Sequence, residues 1–154
     1  MAKTPLSSRA TYPHFHTMTT RWRDNDVYAH MNNAVFYEYV DTAVNHWLIE
    51  TGLVVPDGPC IGLVVETSCT FQASLGFPDP VVAGLGTTRV GTTSITYQIG
   101  LFRGVAEEAA AQARFTHVYV EAQTRRPPQP ACLPLPPSAS LCLPPSQPPS
   151  LSPS

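Results

Sequence analysis

The segment RWRDNDVYAHMNNAVFYEYVD, residues 21–41, decides the fold of this chain, because a polar loop runs directly into a long helical pattern. From Phe36 onward, past the end of this segment, apolar side chains recur at three- and four-residue intervals and form one stripe on a helix, namely Phe36, Val40, Ala43, Val44 and Trp47. Asn32 or Asn33 suits the N-cap, because an asparagine side chain accepts from the exposed amides of the first turn. Gly52 supplies the stop, because glycine tolerates the left-handed conformation that often ends a helix. The sequence therefore predicts a helix over residues 34–51.

Strand-like segments flank this helix. The stretch HTMTTRW predicts a strand over residues 16–23, and four further segments have strand character, at 60–73, 80–90, 94–103 and 109–123. No helical pattern lies between the later segments, which favours an antiparallel meander over parallel strands joined by crossover helices. An apolar helix beside such a sheet must be wrapped by it, so we expect an α+β fold with a five-stranded antiparallel sheet around one long helix.

Composition divides the chain of 154 residues into unlike parts. No charged residue follows Arg126, and proline, serine and leucine dominate from there on. We expect a flexible lead-in over 1–15, a folded domain over 16–126 and a disordered tail over 127–154.

The net charge of -2 and the lack of a basic stripe exclude electrostatically driven nucleic-acid binding. No segment is apolar for the roughly 20 residues that a membrane span needs. The four cysteines could form two disulfides, but nothing marks the chain as secreted, so we expect reduced thiols.

The loop before the helix contains the residues with chemical potential. A helix N-terminus exposes unpaired amides and the positive end of the helix dipole, which stabilise an oxygen with developing negative charge. Asp26 lies in the loop beside it, and a carboxylate there can attack a polarised carbonyl or activate water toward it. The residue types leave a simpler alternative open, in which Asp24 and Asp26 only fill a turn and favour the helix dipole.

The spacing DNDVYAHMNNAVFYEYV resembles the D-x-D-x-x-G-H-x-N-N-x-x-Y signature of the hotdog-fold thioesterase superfamily, the 4-hydroxybenzoyl-CoA thioesterase-like acyl-CoA thioesterases. Three later segments, SCTFQASLGFPDPVVAGL, VGTTSITYQIGLFR and ARFTHVYVEAQTRRP, resemble that family's strands in order and spacing. The resemblance covers residues 17–127 and implies a hotdog fold, in agreement with the pattern of strands and helix.

The resemblance also implies roles for single residues. Asp26 matches the family's nucleophile or general base, and Asn33 matches the position whose backbone amide binds the thioester carbonyl. His30 matches the motif histidine, which shapes the loop or contacts substrate. Asp24 is expected as structural support, and Asn32 as a helix cap that is also a substrate-binding candidate.

Further substrate-binding candidates lie downstream. Ser94 is a candidate for lining the acyl or pantetheine channel, and Arg125 and Arg126 for meeting the phosphates of CoA, because guanidinium binds phosphate bidentately. Ala29 departs from the family pattern by replacing a glycine, which would strain the loop if the position needs a positive φ. Ser74 stands where relatives often have proline.

Together these features predict an enzyme that hydrolyses acyl-CoA or acyl-carrier thioesters to a free acid and a thiol. No cofactor or metal is expected, since the H-x-H pair of His14 and His16 lacks a third ligand. Hotdog domains generally pair, so a homodimer or a tetramer is expected. We expect a cytoplasmic protein, with the mitochondrial matrix as the alternative, because residues 1–23 carry basic but no acidic side chains.

Two other functions stay open. The first is a non-catalytic module that binds acyl-CoA. The second is a hotdog enoyl-CoA hydratase or dehydratase, whose relatives use a D-x-N-P-x-H arrangement. The spacing of Asp26 and His30, four residues apart with no proline between them, counts against the second.

Overall fold

The computed structural model describes residues 7–54 and 56–128 of the chain. It contains an antiparallel five-stranded sheet in the order β1-β3-β4-β5-β2 and one long helix. The strands are β1 (His14–Met18), β2 (Cys60–Phe71), β3 (Val81–Val90), β4 (Ser94–Arg103) and β5 (Ala111–Glu121), and the helix is α1 (Asn33–Glu50). The predicted fold class is confirmed, because the sheet packs its inner face on the helix.

Helix α1 begins and ends within one residue of the predicted bounds, 34 and 51. Its N-cap is Asn32, whose Oδ1 accepts from the Ala34 amide at 3.0 Å, and Gly52 follows its end with φ at +71°. The buried side chains of the helix are Phe36, Tyr39, Val40, Ala43, Val44, Trp47 and Leu48. They pack against inward-facing residues of the sheet such as Val81, Tyr97 and Ile99, so burial of this stripe holds helix and sheet together.

The start of the domain differs from the sequence-based expectation. The first strand runs over His14–Met18 instead of 16–23, and a 3₁₀ turn over Trp22–Asp24 replaces its second half. The turn forms because the Asp24 carboxylate accepts from the Arg21 amide at 2.8 Å and draws the chain back on itself.

The segment just before β1 also packs on the sheet, where we expected a flexible lead-in. Tyr12 is only 4 % exposed and meets the Phe102 ring edge-on at 5.8 Å. Its ring fills a slot between Gly84 and Gly100, where an added Cβ would come within 2.7 Å of it. The slot was not visible in the sequence, because it needs glycines on two paired strands.

The cysteines depart from the expectation of reduced thiols at one position. Cys69 is a free thiol whose pKa burial raises to about 11, whereas Cys60 is disulfide-bonded. Cys132 and Cys142, and almost all of the predicted tail over 127–154, lie outside the described residues.

Strand β2 forms one edge of the sheet and exposes much of its surface. Its exposed apolar side chains are Leu63, Val64, Val65 and Phe71. Within residues 7–54 and 56–128, β5 is the one strand that pairs with β2, through a ladder that runs from Cys60 opposite Glu121 to Phe71 opposite Ala111. The Phe71 end of this strand lies next to the start of α1, where the site is found.

Candidate active site

The loop between β1 and α1 is organised around the Asp26 carboxylate. Asp26 Oδ1 accepts from the backbone amides of Tyr28 at 2.8 Å and His30 at 3.3 Å. The Asp26 amide donates to the His30 carbonyl at 2.7 Å and closes the turn. Among the described residues Oδ2 has no hydrogen-bond partner, so one carboxylate oxygen holds the loop and the other remains available.

Ala29 occupies the tightest point of this loop with φ at +60°. A residue with a side chain pays on the order of 1 kcal/mol for this left-handed conformation, because its Cβ crowds the backbone. The glycine of the family signature would carry no such cost. The loop keeps its shape in this chain because the contacts around Asp26 outweigh the strain.

The first turn of α1 leaves one backbone amide free. Asn32 occupies its two neighbours, since its Oδ1 accepts from Ala34 and its carbonyl accepts from Val35 at 2.9 Å. The N–H of Asn33 has no hydrogen-bond partner within the parts of the chain that the structure covers. A free amide at the positive end of a helix dipole is a donor for a carbonyl or anionic oxygen.

Asp26, His30 and Asn33 line one cleft of about 510 Å³ between the start of α1 and the end of β2. Its remaining lining residues are Met31, Phe36, Phe71, Gln72, Ala73 and Ser74. The cleft thus combines a carboxylate, an imidazole and a free helix amide with apolar walls. This combination can polarise a carbonyl and deliver a carboxylate or an activated water to it.

The buried carboxylate of Asp24 links this loop to Arg21 and to Tyr39 of helix α1. Asp24 is 1 % exposed, and its Oδ2 accepts from the Tyr39 hydroxyl at 2.6 Å and the Arg21 amide at 2.8 Å. Its Oδ1 lies 2.9 Å from the Arg21 guanidinium. Burial acts to raise the pKa of Asp24, but the hydrogen bonds from Tyr39 and Arg21 outweigh it and hold the pKa below the ordinary value. The same contact, after burial, raises the pKa of Tyr39 to about 12.

Asn25 fastens the loop to the segment that follows β2. Its Oδ1 accepts from the Phe77 amide at 3.0 Å, and its Nδ2 donates to the Phe77 carbonyl at 3.4 Å. Nearby, the Met31 amide donates to the Leu75 carbonyl at 2.8 Å. These bonds fix the distance between the two segments that form the walls of the cleft.

The structure does not bring every sequence-based candidate to this cleft. Asn32 caps the helix and is not part of the cleft lining. Ser94 is opposite Val118, and Arg125 and Arg126 follow Glu121, at the far end of the sheet. Within one chain, the arginines and the cleft therefore lie at opposite ends of β2, a strand of 12 residues with a contour length of roughly 40 Å.

Sequence reasoning missed the lining residues other than Asp26, His30 and Asn33. The helical spacing places the aromatic Phe36 in the core stripe, and Phe71 and Gln72 carry no signal beyond a strand pattern. The position of Ser74 drew attention only as a departure from the family. Which residues of β2 reach the helix start depends on the strand register, and a single sequence does not encode that in a motif.

Two other clefts lack this chemistry. One of about 490 Å³ lies between β1 and α1 and includes Arg21, Glu38 and Thr42, whose polar groups bond one another or the helix backbone. Another, of about 830 Å³, lies by Glu121 and Thr124 at the far end of β2. Neither contains a carboxylate beside a free helix amide among the residues described.

His14 and His16 do share a face of β1, as their alternation predicts. The His16 ring stacks on His46 at 3.7 Å, and the His14 ring lies 5.4 Å from Trp47. Within residues 7–54 and 56–128, no group of three or more histidine, cysteine or acidic side chains is placed to hold a metal ion. In the same part of the chain, no helix is long and apolar enough to cross a membrane.

Comparison with known proteins identifies the family of this fold and site. Residues 20–149 match the thioesterase-like superfamily. The PA5185 protein from Pseudomonas aeruginosa is 44% identical, with 84% of this chain and 94% of that protein covered and a TM-score of 0.77. No curated protein sequence matches the chain.

Two more distant structures share the architecture. The 1,4-dihydroxy-2-naphthoyl-CoA thioesterase Slr0204 from Synechocystis is 18% identical, with 76% of this chain and 90% of that protein covered and a TM-score of 0.67. The DHNA-CoA thioesterase from Staphylococcus aureus is 14% identical, with 75% and 78% covered and a TM-score of 0.67. The chain has the hotdog fold and belongs to the thioesterase-like superfamily.

Proposed function

We propose that this protein hydrolyses acyl-CoA or acyl-carrier thioesters to a free acid and a thiol. The observation that carries the proposal is the convergence of Asp26 and the unpartnered Asn33 amide on one cleft. Membership of the thioesterase-like superfamily supports it.

The reaction follows from the chemistry of these groups. The Asn33 N–H donates to the thioester oxygen and stabilises the negative charge that develops there. Asp26 either removes a proton from a water that attacks the carbonyl carbon, or attacks that carbon itself to form an anhydride that water then cleaves. The carbon–sulfur bond breaks, the thiolate takes up a proton, and the acid leaves. A thiolate is a good leaving group, so the site needs no metal.

His30 has the second role in the proposal. Its side chain lies in the cleft and is exposed, while its backbone amide holds Asp26 Oδ1. An imidazole at the mouth can contact the amides of a pantetheine arm or donate the proton that the departing thiolate needs.

The replacement of Asp26 by asparagine tests the proposal, because it removes the charge and keeps the loop. An amide oxygen accepts from the Tyr28 and His30 backbone as the carboxylate does, so Asp26→Asn should fold normally. We expect thiol release from a panel of acyl-CoAs to fall by at least about a hundredfold, the scale lost with a key catalytic group. Glu107→Gln, which removes an exposed carboxylate elsewhere, is the charge-matched control and should keep full activity.

Two results would replace the proposal. Acyl-CoA binding without turnover, equal in the wild-type protein and Asp26→Asn, would identify a binding module. Addition of water to an enoyl-CoA with the thioester intact would identify a hydratase. Both are read from the same samples when thiol release, ligand binding and loss of the enoyl double bond are followed together.

We also propose that the active form is a homodimer joined through β2. Among the described residues, no strand pairs with the outer edge of β2, which carries exposed apolar side chains, and such an edge tends to pair with another strand. Antiparallel pairing with β2 of a second copy would set the Phe71 end of one strand beside the Cys60 end of the other. Arg125 and Arg126 of the second copy would then approach the cleft that holds Asp26, which gives them a route to the CoA phosphates.

A further inference from the structure

We infer that Phe71 closes the acyl end of the cleft and restricts this protein to short acyl groups. The inference rests on the proposed thioesterase function and goes beyond it, because it names the substrate class and the residue that sets it. It starts from two phenylalanines on opposite walls. Phe36 lies in the first turns of α1 and Phe71 is the last residue of β2.

The two rings meet edge to face, with centroids 4.9 Å apart and planes 86° apart. Phe36 is 4 % exposed and is part of the core, whereas Phe71 is 45 % exposed and is not part of the core. Phe36 therefore forms a fixed wall. The ring of Phe71 stands in front of it as a barrier that is not needed to fill the core.

The chemistry of the cleft sets the direction of a bound thioester. A carbonyl at the Asn33 amide has Phe36 one helical turn further on, so the apolar walls begin beside the reacting carbon. The polar side chains His30, Gln72 and Ser74 also line the cleft, together with the smaller or more flexible apolar side chains of Met31 and Ala73. An acyl chain gains by facing the rings, and the amide-rich thiol arm gains by facing the polar side, so the acyl group points at Phe71.

Small side chains lie behind the Phe71 ring. Residues two apart on a strand share a face, so the next inward position on β2 is Cys69, about 7 Å further along. Opposite these two residues the ladder has Ala111 and Ala113, both buried. The bulky ring of Phe71 therefore separates the cleft from the small side chains of Cys69, Ala111 and Ala113. Removal of this ring should lengthen the acyl site.

Thiol release from acetyl-, butanoyl-, octanoyl- and dodecanoyl-CoA tests the inference with the full-length protein. The wild-type protein should prefer acetyl- or butanoyl-CoA, and its kcat/KM should fall for octanoyl- and dodecanoyl-CoA. In Phe71→Ala the ratio of kcat/KM for octanoyl- over butanoyl-CoA should rise by at least about tenfold, because each further methylene that becomes buried contributes roughly fourfold. Phe71→Trp should move the preference the other way.

Phe15→Ala is the matched control. Phe15 is 48 % exposed and lies on β1 away from the cleft, so the variant loses the same ring at a distant place. The acyl preference of Phe15→Ala should equal that of the wild-type protein. This control separates a change of the acyl site from a general loss of exposed aromatic surface.

The possible failures are distinct. If the wild-type protein prefers octanoyl- or dodecanoyl-CoA, and Asp26→Asn abolishes that activity, the thioesterase proposal stands and Phe71 is not the barrier. The same conclusion holds if the wild-type protein prefers short chains but the ratio is unchanged in both Phe71 variants. If no thioester is cleaved by the folded wild-type protein, the proposed function fails and takes the inference with it.

Discussion

Two carboxylates only two residues apart have opposite environments in this protein. Both oxygens of Asp24 are saturated by Arg21 and Tyr39, and the side chain is out of contact with solvent. Asp26 uses one oxygen to hold its own loop and keeps the other unpartnered within the described chain. Hydrogen bonding thus leaves one of these aspartates fully bonded and buried and the other with an available oxygen, although their residue type is the same.

Asp24→Asn should destabilise the fold in a pH-dependent way. The replacement removes the charge that Arg21 and Tyr39 face and should lower the free energy of unfolding by about 2–3 kcal/mol at neutral pH. The pKa of Asp24 is held below its ordinary value in the folded state, so its contribution is present above about pH 4, the ordinary aspartate pKa. The contribution is lost as the pH falls through the lower folded pKa.

Urea unfolding of both proteins at pH 7 and at about pH 3 measures this difference. The gap between wild type and Asp24→Asn should be largest at pH 7 and should shrink in acid. A gap that grows as the pH falls would contradict the assignment of Asp24 as an ionised, hydrogen-bonded support.

Ala29→Gly should stabilise the protein. Glycine relieves a cost on the order of 1 kcal/mol at φ +60°, but it adds about 0.4–1 kcal/mol of entropy to the unfolded chain, so we expect a net gain of roughly 0.5 kcal/mol or less in the free energy of unfolding. Chemical denaturation measures it. Ala34→Gly, an exposed alanine with helical backbone in the first turn of α1, is the control and should show no gain.

At the scale of elements, the predictable part of the site is the part that is continuous in sequence. Asp26, His30 and Asn33 lie within eight residues, and their loop enters a helix with a clear apolar stripe and a cap. Local rules for caps and helix ends therefore locate the amide and the carboxylate together. The family resemblance added the roles.

The opposite wall of the cleft was not predictable in the same way. Phe71 meets Phe36 only because β2 pairs with β5 in one register, and that register includes a bulge between Val64 and Glu66. A shift by one residue would turn Phe71 to the other face of the sheet. The predicted strand over 16–23 failed for a related reason, because the Asp24 carboxylate bends the chain through a contact that strand propensity does not contain.

At the scale of the molecule, the open β2 edge relates the two ends of the sheet. Cys60 and Phe71 are the ends of one strand, and the larger cleft by Glu121 lies at the first while the cleft by Asp26 lies at the second. A twofold axis through the middle of β2 would place the cleft by Asp26 of one copy beside the cleft by Glu121 of the other copy. The dimer would then have two sites, each with residues from both copies.

Val65→Lys should disrupt this dimer. Val65 lies at the middle of β2, is 60 % exposed and is positioned at the bulge, so two copies of the new lysine would face each other near the axis. We expect a shift from dimer to monomer at micromolar concentration in sedimentation equilibrium, accompanied by a loss of thiol release.

Val105→Lys adds the same charge at a loop position that is 94 % exposed, and it should leave the dimer intact. A Val65→Lys protein that remains dimeric would show that the copies associate through another surface. A wild-type protein that sediments as a monomer with full activity would remove the need for a shared site.

The proposed role of the Asn33 backbone amide has a consequence for how such proteins diverge. Every residue type except proline carries a main-chain N–H, so only a replacement of Asn33 by proline, which the first helical position accepts, deletes the donor. The carboxylate at position 26 is different, because a single codon change removes it while asparagine still closes the loop. A descendant of this chain could therefore lose catalysis in one step and keep a folded cleft that binds its former substrate.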